Sequence, residues 1–186
     1  MNWLIFIITA YVVVALDVGL GRLWALPGPE GVSPNLVLIF LVWIGLMAPP
    51  RTVLWAAVLL GVVVDALQGP VHGVQILGPT ALGFLAGGFV IQQIRGVMVR
   101  ESIFTLAAST FFVGVFVYLV TIALYTFRGA LWGMADTMPG WSVFDELVRA
   151  FQTLVYSALI AAPMGAILFR LSPLFAFPKP RNDRYY

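Results

Sequence analysis

Hydrophobic residues run along this chain in long blocks, and the polar residues are confined mainly to the gaps between them. A membrane-spanning helix needs ~20 apolar residues. Six blocks meet or approach that length, over about residues 3–24, 34–48, 52–68, 74–93, 102–127 and 143–170. The first carries Asp17 near its far end and is closed by a loop holding Pro27, Gly28, Pro29 and Gly31. The second stops at Pro49-Pro50, because proline lacks the N–H donor and clashes with the preceding turn. In the fourth, Gly78-Pro79 predicts a kink in the first turns. The fifth is the cleanest span. The sixth is long, and its segment 144–149 looks amphipathic, which predicts an interfacial stretch before a span that starts near Phe151.

Blocks two and three are short, rising only about 23–26 Å each at the helical rise per residue. They cross a bilayer if flanking residues snorkel or the lipid thins locally. A five-helix or re-entrant arrangement stays open. The expected fold class is all-α, a polytopic membrane helix bundle of about six transmembrane helices. No internal repeat or low-complexity linker divides the chain. The expectation is one transmembrane domain over residues 1–172 and a short basic cytoplasmic tail over 173–186.

Composition supports the membrane class. Charged residues make up 10% of the chain and hydrophobic residues 61%, where a soluble domain carries about 25% charge. The mean hydropathy is +1.00. So few charges could not cover a water-facing surface, whereas lipid can face the remainder. The absence of cysteine excludes disulfides, thiolate metal sites and a cysteine nucleophile. A net charge of +2 is too small for a nucleic-acid-binding surface. The N-terminus turns apolar at Trp3 and has no positive leader, so it reads as a retained first helix.

Basic residues orient the chain. With a cytoplasmic N-terminus and six spans, the cytoplasmic segments hold Arg51, Arg95, Arg100, Arg170, Lys179, Arg181 and Arg184. The outer segments hold Arg22, Arg128 and Arg149. That imbalance places both termini in the cytoplasm. The tail would then lie beside anionic lipid, or serve as a solvated tail that merely sets topology. The longest outer loop, about 128–142, carries Trp132 and Trp141, whose amphipathic rings favour the membrane interface.

Chemistry, if present, is expected at intramembrane charge. A carboxylate at the bilayer centre costs ~2.5–3.5 kcal/mol on insertion scales, so such residues face protein or water. Asp17 and Asp65 are the two candidates, each ~20 Å from the cytoplasmic end of its helix. Three readings stay open. Each reaches the outer interface or a cation such as Arg22, Arg128 or Arg149; or the two meet and share a proton; or they bind a substrate or ion. Ala57 and Gly61, one turn apart, lead to Asp65 and would let another helix approach that face. Gly69, Pro70 and Gly73 form a tight turn around His72, which reads as a loop residue. Gly83-Phe-Leu-Ala-Gly87, with Gly88 beside it, is a GxxxG packing face that does not say which helix it meets. Ser109, Thr110 and Thr121 are expected to bond backbone carbonyls. No nucleophile, phosphate-loop or metal-ligand motif stands out, so no catalytic, cofactor or metal residue is named.

Pro34-Asn35-Leu36 opening one helix, Gly61-Val-Val-Val-Asp65 ending the next, and Gly69, Gly73 and Gly83 leading into a fourth form a pattern that resembles the bacterial rod shape-determining MreD family. The match covers about Pro34 to Gly88, and chain length and helix count also fit. Ala57 departs from a frequent glycine, and Pro49-Pro50 replaces a more basic turn.

The resemblance implies a non-catalytic inner-membrane scaffold of the elongation, or Rod, complex. Its partner would be MreC, which has one membrane helix and an outer body. MreB, RodA and a penicillin-binding transpeptidase would complete a hetero-oligomer that controls lateral peptidoglycan synthesis. The resemblance also implies a fold like the substrate-binding subunits of energy-coupling-factor transporters. Those subunits dock through AxxxA spacing in the first helix, whereas Ala10 and Ala15 here are out of that register. On this reading Asp17, Pro34, Asn35, Gly61, Asp65, Gly69, Gly73, Gly83 and Gly87 are candidates for helix packing or partner docking. A small-molecule-binding transporter subunit is the alternative, and a lipid-modifying enzyme a third option.

Overall fold

The computed structural model describes residues 2–25, 31–67, 77–96, 102–131 and 142–177. They form an all-α membrane helix bundle of six helices: α1 (Trp3–Trp24), α2 (Leu36–Met47), α3 (Pro50–Leu67), α4 (Pro79–Ile94), α5 (Ile103–Leu131) and α6 (Val143–Leu171). A 3-10 turn, Ser172–Phe175, closes the described chain. By length and composition α3, α5 and α6 are each able to cross a membrane.

Helix α2 is the hub. Every residue from Val37 to Leu46 is buried, and α2 touches each of the other five helices. A helix that is hydrophobic all round has no polar face to offer water, so it goes to the centre or to lipid. Here it goes to the centre. Around it α3, α4, α5 and α6 pack as successive neighbours, while α1 leans on α2 and the 3-10 turn and barely meets α3.

Lipid tails are as apolar as leucine, so helix association in a bilayer draws on close packing rather than on escape from water. Small residues accordingly sit where helices cross. A Cβ at Gly61 of α3 would collide with the backbone of Ala81 in α4. At Gly83 and Gly87 of α4 it would collide with Thr121 and Val117 of α5, and Gly88, on another face of α4, lies against Ala57 of α3. The faces bearing Gly61 and Gly83-Gly87 are therefore covered by helices of the same chain.

Two sequence expectations need correction. Pro79 does not kink a helix already under way: it opens α4. At the first position proline loses no hydrogen bond and its fixed φ suits the helix. The amphipathic segment 144–149 forms the first turns of α6, one continuous helix of 29 residues. Ser142 caps its start, accepting from Asp145 N at 3.4 Å. The short helices are α2 and α4, with 12 and 16 residues, whereas α3 starts at Pro50 and reaches 18.

The two ends of the described chain meet. Asn2 N donates to Phe175 O at 3.0 Å. Phe175 is fully buried, edge-on to Trp43 at 4.9 Å and stacked on Phe177 at 5.4 Å. The packed chain thus continues through Phe177, past residue 172. Gly69, Gly73, His72, Trp132, Trp141 and the tail cations lie outside the described residues, as do the side chains of Arg22 and Arg128.

Candidate functional site

Helix α2 rises only about 18 Å, well short of the ~30 Å hydrocarbon layer. Its polar ends therefore need partners from the protein, because lipid supplies none. At its N-terminus Asn35 is the N-cap, accepting from Leu38 N at 2.8 Å. Asp17 of α1 accepts from Leu36 N at 2.7 Å. Asn35 N donates to Ser157 Oγ of α6 at 2.8 Å, and Asn35 Nδ2 to the Tyr118 hydroxyl of α5 at 3.2 Å. At its C-terminus α4 supplies the partners: Gln92 donates to Gly45 O at 3.2 Å and Arg95 to Ala48 O at 2.6 Å. Acidic at the amide end and basic at the carbonyl end, this arrangement also opposes the helix dipole.

Asp65 repeats the device on α4. It is 3% exposed and receives three backbone N–H groups, from Gly78 at 2.8 Å, Thr80 at 3.2 Å and Ala81 at 3.1 Å. So each aspartate on an odd-numbered helix caps the short helix that follows it. Among the described residues neither is paired with a cation, and no acidic or histidine cluster could hold a metal ion. Capping by a carboxylate was not among the readings drawn from sequence, because the partners are backbone amides that any residue carries. Asn35 directly before an apolar run does carry an N-cap signal. Tyr118, Ser157 and Gln92 carry none. Thr110 and Thr121 bond the carbonyls of Leu106 and Val117 at 2.8 and 2.9 Å.

An apolar concavity of about 380 Å³ lies between α5 and α6, and two others flank this core. The larger, about 630 Å³, is a groove between α1 and α3. Its walls are apolar, with Ile7, Tyr11, Val14, Ala15 and Val18 on α1 facing Leu59 and Val63 on α3. The smaller, about 180 Å³, lies where α2 and α4 begin, enclosed by α5 and α6. Its lining is rich in hydroxyls and includes the Glu146–Arg149 ion pair, 3.5 Å apart.

A family model for the rod shape-determining protein MreD matches residues 1–174, nearly the whole chain. The chain belongs to the MreD family. It is thus a rod shape-determining membrane protein, and the family is a structural one. The MreD match begins at residue 1 and spans all six helices, so it takes in both capping aspartates, the groove and the cavity. No curated protein and no solved structure matches.

Proposed function

We propose that this MreD protein is a multi-pass scaffold of the bacterial inner membrane that holds MreC by its single membrane helix, and so helps control lateral peptidoglycan synthesis in the Rod complex. The groove between α1 and α3 carries this reading. A transmembrane helix has apolar side chains and no free backbone groups, so it needs an apolar trough and little else. The groove has that character, and its lining residues Ala10, Ala15 and Gly19 are small enough to let a second backbone come close. The faces around Gly61 and Gly83-Gly87 are occupied within the chain, whereas the α1–α3 groove is open and has room for several leucine-sized side chains. MreB, RodA and a penicillin-binding transpeptidase join through this assembly. The meeting of Asn2 with Phe175 supports termini on one side, and the basic count supports the cytoplasm.

The test is co-purification of MreC with groove-filling variants. Ala15→Trp and Val63→Trp lie on exposed groove walls and leave the bundle intact. Both are expected to lose MreC, while Leu159→Trp, on the outward face of α6, retains it. Wild-type recovery of MreC with both groove variants would overturn the assignment.

A further inference from the structure

The hydroxyl-lined cavity has a composition that packing alone does not call for. Thr80 of α4 and Thr153 of α6 line it, and neither hydroxyl has a hydrogen-bond partner among the described residues. Tyr118 also lines it. Its oxygen accepts from Asn35, and its own hydrogen has no acceptor among the described residues. A hydroxyl left unmet in an apolar bundle costs ~1–3 kcal/mol, so the Thr80 hydroxyl, with that of the half-buried Thr153 beside it, favours a polar occupant of the cavity. The aromatic faces of Phe84, Tyr118 and Tyr125 share the same walls.

Charge narrows the class. Glu146 and Arg149 offset each other, so the described lining carries no net charge. The starts of α2 and α4 would attract an anion if their amides were free. Most of those amides are already taken by Asp17, Asn35 and Asp65. Hydroxyl donors and acceptors beside aromatic faces, with no net charge, suit a neutral ring bearing several hydroxyls. The volume of about 180 Å³ equals roughly six waters at about 30 Å³ each, the room one hexose ring needs. We propose that this cavity binds one neutral sugar ring, either the headgroup of a membrane glycolipid or a free glycoside. The site is separate from the α1–α3 groove and stands whether or not MreC binds there.

The experiment uses the full chain in nanodiscs and reads binding by native mass spectrometry. One arm supplies monoglucosyl diacylglycerol in the bilayer, the other methyl β-glucopyranoside in solution, with glucose 6-phosphate as an anionic control. Saturable binding of one probe per chain is expected, and the arm that shows it identifies the source. Thr80→Val and Thr153→Val each remove one hydroxyl at nearly constant volume and are expected to weaken binding about tenfold. If Thr80→Val fails to fold, Thr153→Val, partly exposed on α6, carries the comparison, with Thr153→Ser restoring binding. Failure of both glucosyl probes to bind, binding indifferent to the valine variants, or equal binding of the phosphate would each overturn the proposal and leave the cavity to water.

Discussion

Gly61 lies so close to Ala81 that a methyl group on it would overlap the Ala81 backbone. The neighbour is main chain in a helix, so it cannot rotate aside. Gly61→Ala is therefore expected to destabilise the bundle by ~1–3 kcal/mol. Gly19→Ala meets nothing within 4 Å and is expected to be neutral or slightly stabilising. Thermal midpoints in detergent compare the two. Equal midpoints would mean that α3 and α4 are not packed this closely.

Asp65 and Asp17 perform the same task to different extents, and their alanine variants are expected to rank accordingly. Asp65 holds three amides and Asp17 one. Interhelical hydrogen bonds in membranes average ~0.6 kcal/mol. Asp65→Ala should then cost about 2 kcal/mol and Asp17→Ala about a third of that. Asp65→Asn keeps an acceptor oxygen and should fall between wild type and alanine. The midpoints of the three variants decide, and a larger loss at Asp17 would contradict the capping geometry.

The six apolar helices were legible in the sequence because only a bilayer tolerates such runs. The roles of particular residues were less so. An all-apolar helix looks the same whether protein or lipid surrounds it, so the central place of α2 could not be read from residues 36–47. Asp17 and Asp65 stood out by their charge, but their partners are amides, and nothing in a sequence marks an amide as needing a cap. Gly78-Pro79 reads equally as a kink or a start, and only the fold selects the start. The groove and the cavity are products of helix placement, with walls drawn from residues up to 118 positions apart, Asn35 and Thr153 among them.

Arg95 closes the carbonyl end of α2, so Arg95→Met should loosen that end first. Hydrogen–deuterium exchange over residues 45–48 is expected to rise, with a stability loss of ~1 kcal/mol. Arg95→Lys keeps the charge and should recover part of the protection. Unchanged exchange in Arg95→Met would show that Gln92 alone suffices.

Phe175 ties the chain's end to its beginning, and Phe175→Ala is expected to cost ~3–5 kcal/mol. The lost side chain is fully buried against Trp43 and Phe177, and a cavity would remain. Trp43 fluorescence, shifted by the opened cavity, and the thermal midpoint both report it. A midpoint within a degree of wild type would sink the prediction.

The N-terminus of α2 depends on a residue made much later. Asn35 N finds its acceptor in Ser157, 122 residues further along the chain. At ~5–20 residues per second, the ribosome takes about 6–24 s to cover that interval. Through that time the nascent α2 must keep its leading amide matched by water or a membrane-insertion partner. The central helix is thus completed only when the last one arrives, and the protein's biogenesis has a built-in wait that ends when α6 enters the membrane.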